Sequence, residues 1–241
     1  MSVIFGVNPV IEALRGARRT VERITIATGA RISRFDELMQ AARAAGVPVA
    51  RQPSAALDRT AGTRSHQGVV AVVGAAKYAE LDDVIARMAE RKLVVLLDGV
   101  EDPHNLGAIL RTAECAGAAG VVVPARGRVG LTDTVAKTSA GALEHIPVAR
   151  VTNLVQAMET LKEAGAWVAG LDAAAERSYT EYDFEGPTAL VFGGEGHGLR
   201  RLVRERCDVL ISVPMFGAVS SLNVSVTVGV VLFEARRRMQ G

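Results

Sequence analysis

A glycine-rich turn stands where a predicted strand passes into a predicted helix, in ALVFGGEGHGLRRL at 189–202. Exposed backbone amides and the N-terminus of a helix can together hold a polar or anionic group. Glu195 is unusual there, because a carboxylate would repel a phosphate but could accept a hydrogen bond from a hydroxyl or an arginine. A tight turn without a ligand would have the same composition, so this string alone decides nothing.

A polar connection with an amide and a guanidinium follows another predicted strand, in LDGVEDPHNLGAILRTAECAG at 97–117. Asn105 is predicted to cap the next helix, and Gly107 allows a backbone or a ligand to approach closely. Arg111 follows about one and a half turns later and offers a fixed fork of donors. A capped helix with a solvated arginine would explain the same residues equally well.

A helix start with hydroxyl and amide groups follows a third predicted strand, in ISVPMFGAVSSLNVSVTVGVVLFEARRR at 211–238. Pro214 is expected to end the strand, and the mostly apolar loop 215–219 could sandwich a flat ring. Ser220 or Ser221 is predicted as the N-cap of a helix over about 222–239, with Asn223 offering a further amide. The alternative that requires no ligand is a capped helix packed on a core.

The pattern from Leu93 onward predicts strands buried on both faces, because each is a short continuous apolar run bounded by loop residues. Helical stretches lie between them, so the fold class is α/β with a mostly parallel sheet covered on both faces. Ligands of such sheets bind at the carboxyl ends of the strands, which is where the three segments lie. One strand is predicted to begin at residue 93, and four more are predicted at 120–125, 166–171, 188–194 and 208–214. Helices are predicted near 106–117, 131–142, 153–164 and 198–206.

The first 74 residues predict a smaller α/β module. Asn8 is predicted to cap a helix that has Pro9 at its first position. Residues 75–91 are more polar, although three apolar side chains there have helical spacing. We therefore predict an N-terminal domain at 1–75, a linker at 76–91 and a C-terminal domain at 92–241. The strands of the module are predicted at 22–28, 47–50 and 66–74, with a helix at 32–45.

Composition excludes several classes. The net charge of +2 over 241 residues is only a weak hint of a polyanionic partner. Cys115 and Cys207 form no disulfide framework, and they and the four scattered histidines give no metal-ligand spacing, so no metal is expected. We find no signal-peptide core and no apolar run of the ~18–20 residues needed to span a membrane, so a cytoplasmic protein is expected.

Taken together, the three segments resemble the signatures of the SpoU, or TrmH-like, branch of the SPOUT RNA methyltransferases. The matching strings run from Asn105 to Thr112, from Phe192 to Leu199, and from Val213 to Met215 with Ser220 to Ser225. They occur in the family's order and cover much of 93–241. In the N-terminal module, FGVNPV at 5–10 and HQGVVA at 66–71 are similar to the two ends of the family's substrate-binding extension, which has a small ribosomal-protein-like fold.

The resemblance implies a C-terminal SPOUT domain with a deep trefoil knot, a homodimer with the donor site beside the subunit interface, and S-adenosylmethionine as methyl donor without a metal. The acceptor is expected to be the 2′-oxygen of a guanosine ribose in 23S ribosomal RNA. The adenine would lie between the 213–215 loop and the residues near Leu222. The expected donor contacts are Gly193, Gly194, Gly196, Val213, Pro214, Met215 and Leu222.

Arg111 is the family's candidate for taking or sharing the proton of the 2′-hydroxyl. A guanidinium is essentially always protonated and has no acceptor. Either its pKa is strongly perturbed or it positions the hydroxyl and a phosphate, and we favour positioning. Asn105, Glu195, Ser221 and Asn223 would hold Arg111 and the ribose, whereas His197 is given no role. Candidates for contact with RNA phosphates are Arg15, Arg18, Arg19, Arg51, Arg59, Arg64, Arg126 and Arg128.

Three alternatives remain. The same reaction on transfer RNA, or on a ribosomal site that confers antibiotic resistance, is disfavoured by the N-terminal module. A non-catalytic RNA-binding relative is disfavoured by the intact polar residues of the three strings. A nucleotide-dependent oxidoreductase is disfavoured because the glycine-rich turn comes late in the chain and has no acidic residue suitably downstream.

Overall fold

A computed structural model of the protein describes residues 2–16, 18–125 and 130–240. By its internal contacts the chain divides into two compact units, Met1–Lys77 with Leu131–His145, and Tyr78–Gly130 with Ile146–Gly241. The predicted domain ranges of 1–75 and 92–241 stay predictions, and the contacts group residues 131–145 with the N-terminal unit. Arg126 and Arg128, two predicted RNA contacts, lie outside the described residues.

The N-terminal unit is built on a sheet whose described strands have the order β1-β4-β2-β3. β3 runs parallel to β2, and the other neighbours pair antiparallel. Helices α1 and α2 pack on one face around Ile11, Ile24 and Leu38, and α3 covers the other face through Leu57. The elements are β1 (Ser2–Phe5), α1 (Val7–Arg15), β2 (Val21–Ala27), α2 (Phe35–Ala44), β3 (Val49–Gln52), α3 (Ser54–Ala61) and β4 (Val69–Val73).

Helix α1 does not start as predicted, and the cap assigned to Asn8 is wrong. The N-cap is Gly6, and the amide of Val7 donates to Oε1 of Gln67 at 3.1 Å. Asn8 lies inside the first turn, where its Oδ1 accepts from Nη1 of Arg34 at 2.7 Å. A side chain 60 positions away supplies the cap, which local sequence could not indicate.

The segment 131–145 packs on the N-terminal unit rather than forming the predicted helix over 131–142. It contains the short helix α6 (Asp133–Thr138) and a 3-10 turn at Ala142–Glu144. Nε of Arg19 lies 3.1 Å from Oε1 of Glu144, and both side chains are almost completely buried. Ser139 ends α6, and Gly141 at a φ of 96° redirects the chain into the turn, which shortens the helix.

The C-terminal unit contains a sheet whose described strands have the order β10-β8-β9-β5-β6-β7, with every neighbouring pair parallel. The prediction of an α/β fold with a mostly parallel sheet is therefore confirmed. The elements are α4 (Leu81–Arg91), β5 (Leu93–Asp98), α5 (Pro103–Cys115), β6 (Gly120–Pro124), β7 (Val148–Val151), α7 (Leu154–Glu163), β8 (Trp167–Leu171), β9 (Thr188–Gly193), α8 (Arg201–Glu205), β10 (Val209–Ile211) and α9 (Val224–Gln240).

Helices cover both faces of this sheet, as expected for central strands that are buried along almost their whole length. α4 and α7 share one core with the sheet, built around Val84, Met88 and Met158. α4 occupies most of the predicted linker, so that part of 76–91 is a packed helix. α5 and α9 pack against each other, with Gly229 facing Thr112.

Two features are absent from the described residues. No helix of residues 2–16, 18–125 or 130–240 is long and apolar enough to cross a membrane. Over the same ranges, no group of three or more histidine, cysteine, aspartate or glutamate side chains is arranged to hold a metal ion.

Candidate active site at the carboxyl edge of the parallel sheet

The parallel register brings the carboxyl ends of β5, β8, β9 and β10 to one edge of the sheet. Asp98 at the end of β5 pairs with Gly193 at the end of β9, and Leu171 at the end of β8 pairs with Ile211. The segments that leave these strands include the three polar segments singled out in the sequence. Topology therefore places residues that are far apart in the chain around one edge.

Asp98 fastens the glycine-rich turn to this edge. Its backbone oxygen accepts from the amide of Gly194 at 2.8 Å. Its buried carboxylate accepts from the amide of Arg200 at 2.8 Å and from Nε of the same residue at 2.5 Å. One residue thus joins the end of β5 to the turn after β9 through its backbone and to the start of α8 through its side chain.

Two glycines of the turn are required by close packing. A Cβ at Gly193 would lie 2.1 Å from the carbonyl carbon of Gly198, and one at Gly194 would lie 2.4 Å from the backbone oxygen of Gly99. Neither neighbour can yield easily, since both are backbone atoms. Close packing thus requires glycine at 193 and 194, whereas Gly196 and Gly198 have open space around them but adopt positive φ values of 81° and 63°.

Asn105, Glu195 and Asn223 form one hydrogen-bonded network that joins the three segments. Nδ2 of Asn105 donates to Oε1 of Glu195 at 2.6 Å. Nδ2 of Asn223 donates to Oδ1 of Asn105 at 3.0 Å and to the same Glu195 oxygen at 3.2 Å. Two neutral amides thus orient one carboxylate.

Neither predicted helix cap at this site is correct. Asp102 caps α5, accepting from the amide of His104 at 2.8 Å ahead of Pro103. Asn105 therefore lies inside the first turn of α5, which frees its side chain for the network. α9 is capped by Asn223, whose Oδ1 accepts from the amide of Ser225 at 2.9 Å, and not by Ser220 or Ser221.

A cavity of about 740 Å³ lies beside the network. This volume is within the range of small-molecule sites. Its wall combines apolar side chains with the backbone of the glycine-rich turn and a few polar groups. The lining residues are Leu171, Asp172, Ala173, Phe192, Gly193, Gly194, Glu195, Gly196, Gly198, Val213, Met215, Ser220, Ser221, Leu222, Asn223, Val224 and Thr227.

Most of the predicted donor contacts lie in this wall. Gly193, Gly194 and Gly196 line it, as do Val213, Met215 and Leu222, which the sequence predicted to sandwich a flat ring. Within the described part of the chain, Pro214 is the one predicted donor contact outside the lining. Three of the five predicted catalytic residues, Glu195, Ser221 and Asn223, also line the cavity, and Asn105 is bonded to two of them.

Arg111 stands apart from this cluster. It lies on α5 with an exposed side chain, and it makes no hydrogen bond or ion pair with any described residue. The polar network that was expected to hold Arg111 is satisfied within itself instead. The structure thus leaves this guanidinium available to a ligand without placing it on the cavity wall.

Residues that follow β8 also line the cavity, although none of them was among the predicted site residues. Leu171, Asp172 and Ala173 line the cavity where β8 ends. The carboxylate of Asp172 accepts from Nε of Arg204 at 2.5 Å and from the amide of Ala174 at 2.8 Å. The hydrogen bond from Arg204 lowers the pKa of Asp172 below its ordinary value. The predicted end of the strand at residue 171 was the signal that could have identified this residue.

The fold and the site define an α/β protein with a small-molecule cavity at the carboxyl edge of a parallel sheet, beside a network of oriented amides and a carboxylate. Residues 92–233 match the SpoU rRNA methylase family, and residues 3–79 match a model described as RNA 2′-O ribose methyltransferase substrate binding. The chain belongs to the SpoU rRNA methylase family. The predicted family is therefore confirmed, and so is the predicted enzyme class of RNA 2′-O-methyltransferases.

Individual relatives resemble the whole chain. It is 46% identical over 238 residues to a Bacillus subtilis strain 168 protein named as a TrmH family tRNA/rRNA methyltransferase, YacO, covering 98% of this chain and 95% of that one. It is 45% identical over 241 residues to the 23S rRNA (guanosine-2′-O-)-methyltransferase RlmB of Xanthomonas campestris pv. campestris, covering 99% and 97%. The AdoMet-bound rRNA methyltransferase from Sinorhizobium meliloti superposes with a TM-score of 0.83 at 26% identity, covering 98% and 87%.

Proposed function

We propose that this protein transfers a methyl group from S-adenosylmethionine to the 2′-oxygen of a guanosine in 23S ribosomal RNA. The observation that carries the proposal is the Asn105–Glu195–Asn223 network beside a cavity of about 740 Å³. The chain is 45% identical to an RlmB over nearly its whole length, which supports a guanosine of 23S ribosomal RNA as the target. An enzyme acting on ribosomal RNA would work in the cytoplasm.

The residues of the cavity fit the donor. Val213, Met215 and Leu222 give an apolar wall suited to a flat ring, and the glycine-rich turn presents backbone groups to a polar ligand. When bound, S-adenosylmethionine supplies an electrophilic methyl on sulfur, whose carbon–sulfur bond breaks as the carbon–oxygen bond forms. The carboxylate of Glu195 lines the same cavity and is oriented by the side-chain amides of Asn105 and Asn223.

The acceptor chemistry requires a positioned ribose. Arg111 holds the ribose 2′-hydroxyl and an adjacent phosphate, since its donors have no described partner within the chain. Its planar fork suits a phosphate better than it suits taking a proton. The hydroxyl proton leaves to solvent as the oxygen attacks, and most of the rate enhancement comes from alignment.

The N-terminal unit supplies RNA contact, and the structure sorts the candidate arginines. Arg15 pairs with Glu37 at 2.7 Å, and Arg19 is buried against Glu144. The exposed side chains of Arg51, Arg59 and Arg64 make no hydrogen bond or ion pair with a described residue. These three, with Arg31, are therefore the stronger candidates for phosphate contact.

Three of these arginines share one edge of the N-terminal sheet. β1, β2 and β3 end there and β4 begins there, as the partners Phe5–Val70 and Ala27–Gln52 show. Arg31, Arg51 and Arg64 lie in or next to the connections at this edge. Helices α1, α2 and α3 also begin there and add the positive ends of their dipoles.

The proposal includes a homodimer and a knotted C-terminal domain. Exposed apolar side chains on the 215–222 loop and on α9 support an interface, since Phe216 is 98% exposed and Phe233 is 52% exposed. Light scattering of wild type and of a Phe233→Asp variant tests the dimer. The knot is inferred from the family resemblance.

One experiment tests the reaction and its target. The 2′-O-methyl groups of ribosomal and transfer RNA are mapped in cells with and without the gene, and then in unmodified 23S RNA treated with purified protein. Loss of one 23S guanosine methylation, restored in vitro, is expected. A lost site in transfer RNA would overturn the target, and methylation of a target that carries 2′-deoxyribose would overturn the reaction class.

A further inference from the structure

Two carboxylates, those of Asp172 and Glu195, belong to residues that line the same cavity. They come from different strand ends, since Asp172 follows β8 and Glu195 follows β9. Their partners differ in charge, and charge decides what each carboxylate can bind. Glu195 was assigned a role from the sequence, whereas Asp172 was not.

Asp172 is held by a cation and Glu195 by neutral groups. Nε of Arg204 donates to Oδ2 of Asp172 at 2.5 Å, and the amide of Ala174 donates to Oδ1 at 2.8 Å. Glu195 accepts from the amides of Asn105 and Asn223. Asp172 with its arginine is close to neutral as a pair, while Glu195 presents an uncompensated negative charge.

The backbone places Asp172 beside the glycine-rich turn. β8 and β9 are neighbours in parallel register, with Gly170 opposite Val191. Asp172 and Gly193 therefore leave adjacent strands side by side and enter the same cavity wall. In dinucleotide-binding folds, a carboxylate at a strand end near a glycine-rich turn accepts hydrogen bonds from ribose hydroxyls.

We propose that Asp172 binds the 2′- and 3′-hydroxyls of the ribose in the methyl donor, with Arg204 holding its carboxylate in place. This inference rests on the proposed function, because it assumes that the cavity holds an adenosine-containing donor. A hydroxyl fits this position better than a cation does. The guanidinium of Arg204 offsets the attraction for an ammonium or sulfonium group but leaves lone pairs of Asp172 able to accept.

The test measures binding of S-adenosylhomocysteine by calorimetry, without any transfer step. Asp172→Asn keeps the shape of the side chain but replaces an acceptor with a donor. We expect it to weaken binding by about 10- to 100-fold, the usual effect of losing a hydrogen bond to a charged group. Thermal unfolding of the variant establishes that the fold is retained.

Analogues of the same ligand that lack the 2′- or the 3′-hydroxyl separate contact from structural support. The wild-type protein should bind at least one of them about 10-fold more weakly. The affinities of Asp172→Asn for that analogue and for the parent ligand should differ by no more than about threefold, because the variant no longer makes the hydrogen bond to the hydroxyl. The comparison of analogues with the wild-type protein tests the contact even if the variant folds poorly.

Arg204→Gln is the matched control, since it removes the ion pair but keeps the carboxylate. It should weaken binding of S-adenosylhomocysteine less than Asp172→Asn does, because the carboxylate loses its support but can still accept, and it should retain the preference for the full ribose. Equal losses in both variants, with no dependence on the ribose hydroxyls, would overturn the inference, as would unchanged binding by Asp172→Asn. If wild type binds no S-adenosylhomocysteine at all, the proposed function fails together with the inference.

Discussion

Nδ2 of Asn105 donates a hydrogen bond of 2.6 Å to Oε1 of Glu195, although the two residues are 90 positions apart. Asn105 lies inside the first turn of α5, and Glu195 lies in the turn that follows β9. Asn223 donates to both. The carboxylate is therefore oriented by donors from two different helices, and its geometry depends on the packing of α5 against α9.

Asn105→Asp should disable this arrangement in a pH-dependent way. In this variant the new carboxylate at position 105 would face that of Glu195, where an amide now donates. Because two negative charges repel, the two carboxylates would share a proton up to a higher pH than either would alone. At a pH of about 8 we expect the affinity for S-adenosylhomocysteine to fall by about 10-fold or more and to recover partly as the pH is lowered. Calorimetry across this range measures the effect.

Asn105→Ala serves as the comparison for that experiment. It removes the donor without adding a charge, so its loss of affinity should not depend on pH in the same way. If the two variants gave the same pH profile, repulsion between the carboxylates would not be the cause.

Arg111→Ala should abolish methyl transfer while leaving donor affinity within about threefold of wild type. The side chain is exposed, makes no hydrogen bond or ion pair with a described residue, and lies outside the cavity lining. Single-turnover transfer to 23S RNA measures the activity, and calorimetry measures the affinity for the donor. Arg111→Lys keeps the charge but not the planar fork, and should recover little activity if positioning is the role. Substantial transfer by Arg111→Ala would remove Arg111 from the mechanism.

Arg31→Gln with Arg64→Gln should weaken RNA binding and reduce its dependence on salt. Removing a single arginine–phosphate interaction lowers the slope of log affinity against log salt concentration by about 1. Fluorescence anisotropy at several salt concentrations measures this slope. Arg23→Gln with Arg43→Gln is the matched control, because both side chains are exposed and have no described partner but lie away from this edge. If the two double variants gave equal slopes, this edge of the sheet would not be the RNA-binding surface.

Removing one partner of the Arg19–Glu144 pair should be costly. Burial raises the pKa of Glu144, and the charge of Arg19 only partly offsets this. Glu144→Leu alone should lower the free energy of unfolding by about 3–5 kcal/mol, because Arg19 is left buried and uncompensated. Adding Arg19→Met should restore much of that loss. Chemical denaturation of both variants and wild type gives the comparison.

The same pair should affect how stability varies with pH. Because the pKa of Glu144 is raised in the folded state, its contribution is fully present below the unfolded pKa and is lost as the pH rises through the folded value. The Arg19→Met, Glu144→Leu protein should therefore show a flatter pH dependence over that window. A double variant that is no more stable than Glu144→Leu alone would contradict the ion-pair interpretation.

Much of the fold could be predicted because buried strands have a strong local signal. The apolar run LVVLLD predicted β5, and similar runs predicted β6, β8, β9 and β10. β7 (Val148–Val151) was missed, since four residues interrupted by Arg150 do not stand out from a loop. β1 and α3 of the N-terminal unit were missed because both are short, and their burial depends on partners distant in sequence.

The site was predictable in composition but not in connectivity. Asn105 and Ser221 were both expected at helix caps, where local rules place asparagine and serine. Asp102 and Asn223 hold the caps instead, and Asn105 turns toward Glu195. Nothing in the local sequence specifies a hydrogen bond across 118 positions, such as the one that joins Asn223 to Asn105.

The double role of Asn223 links ligand occupancy to local unfolding. Its Oδ1 accepts from the amide of Ser225 at the start of α9, while its Nδ2 belongs to the network beside the cavity. A ligand that steadies the network must therefore also slow the fraying of this helix end. Exchange of the Ser225 and Val226 amides with deuterated solvent would then report whether the donor is bound, several residues away from any atom that reacts.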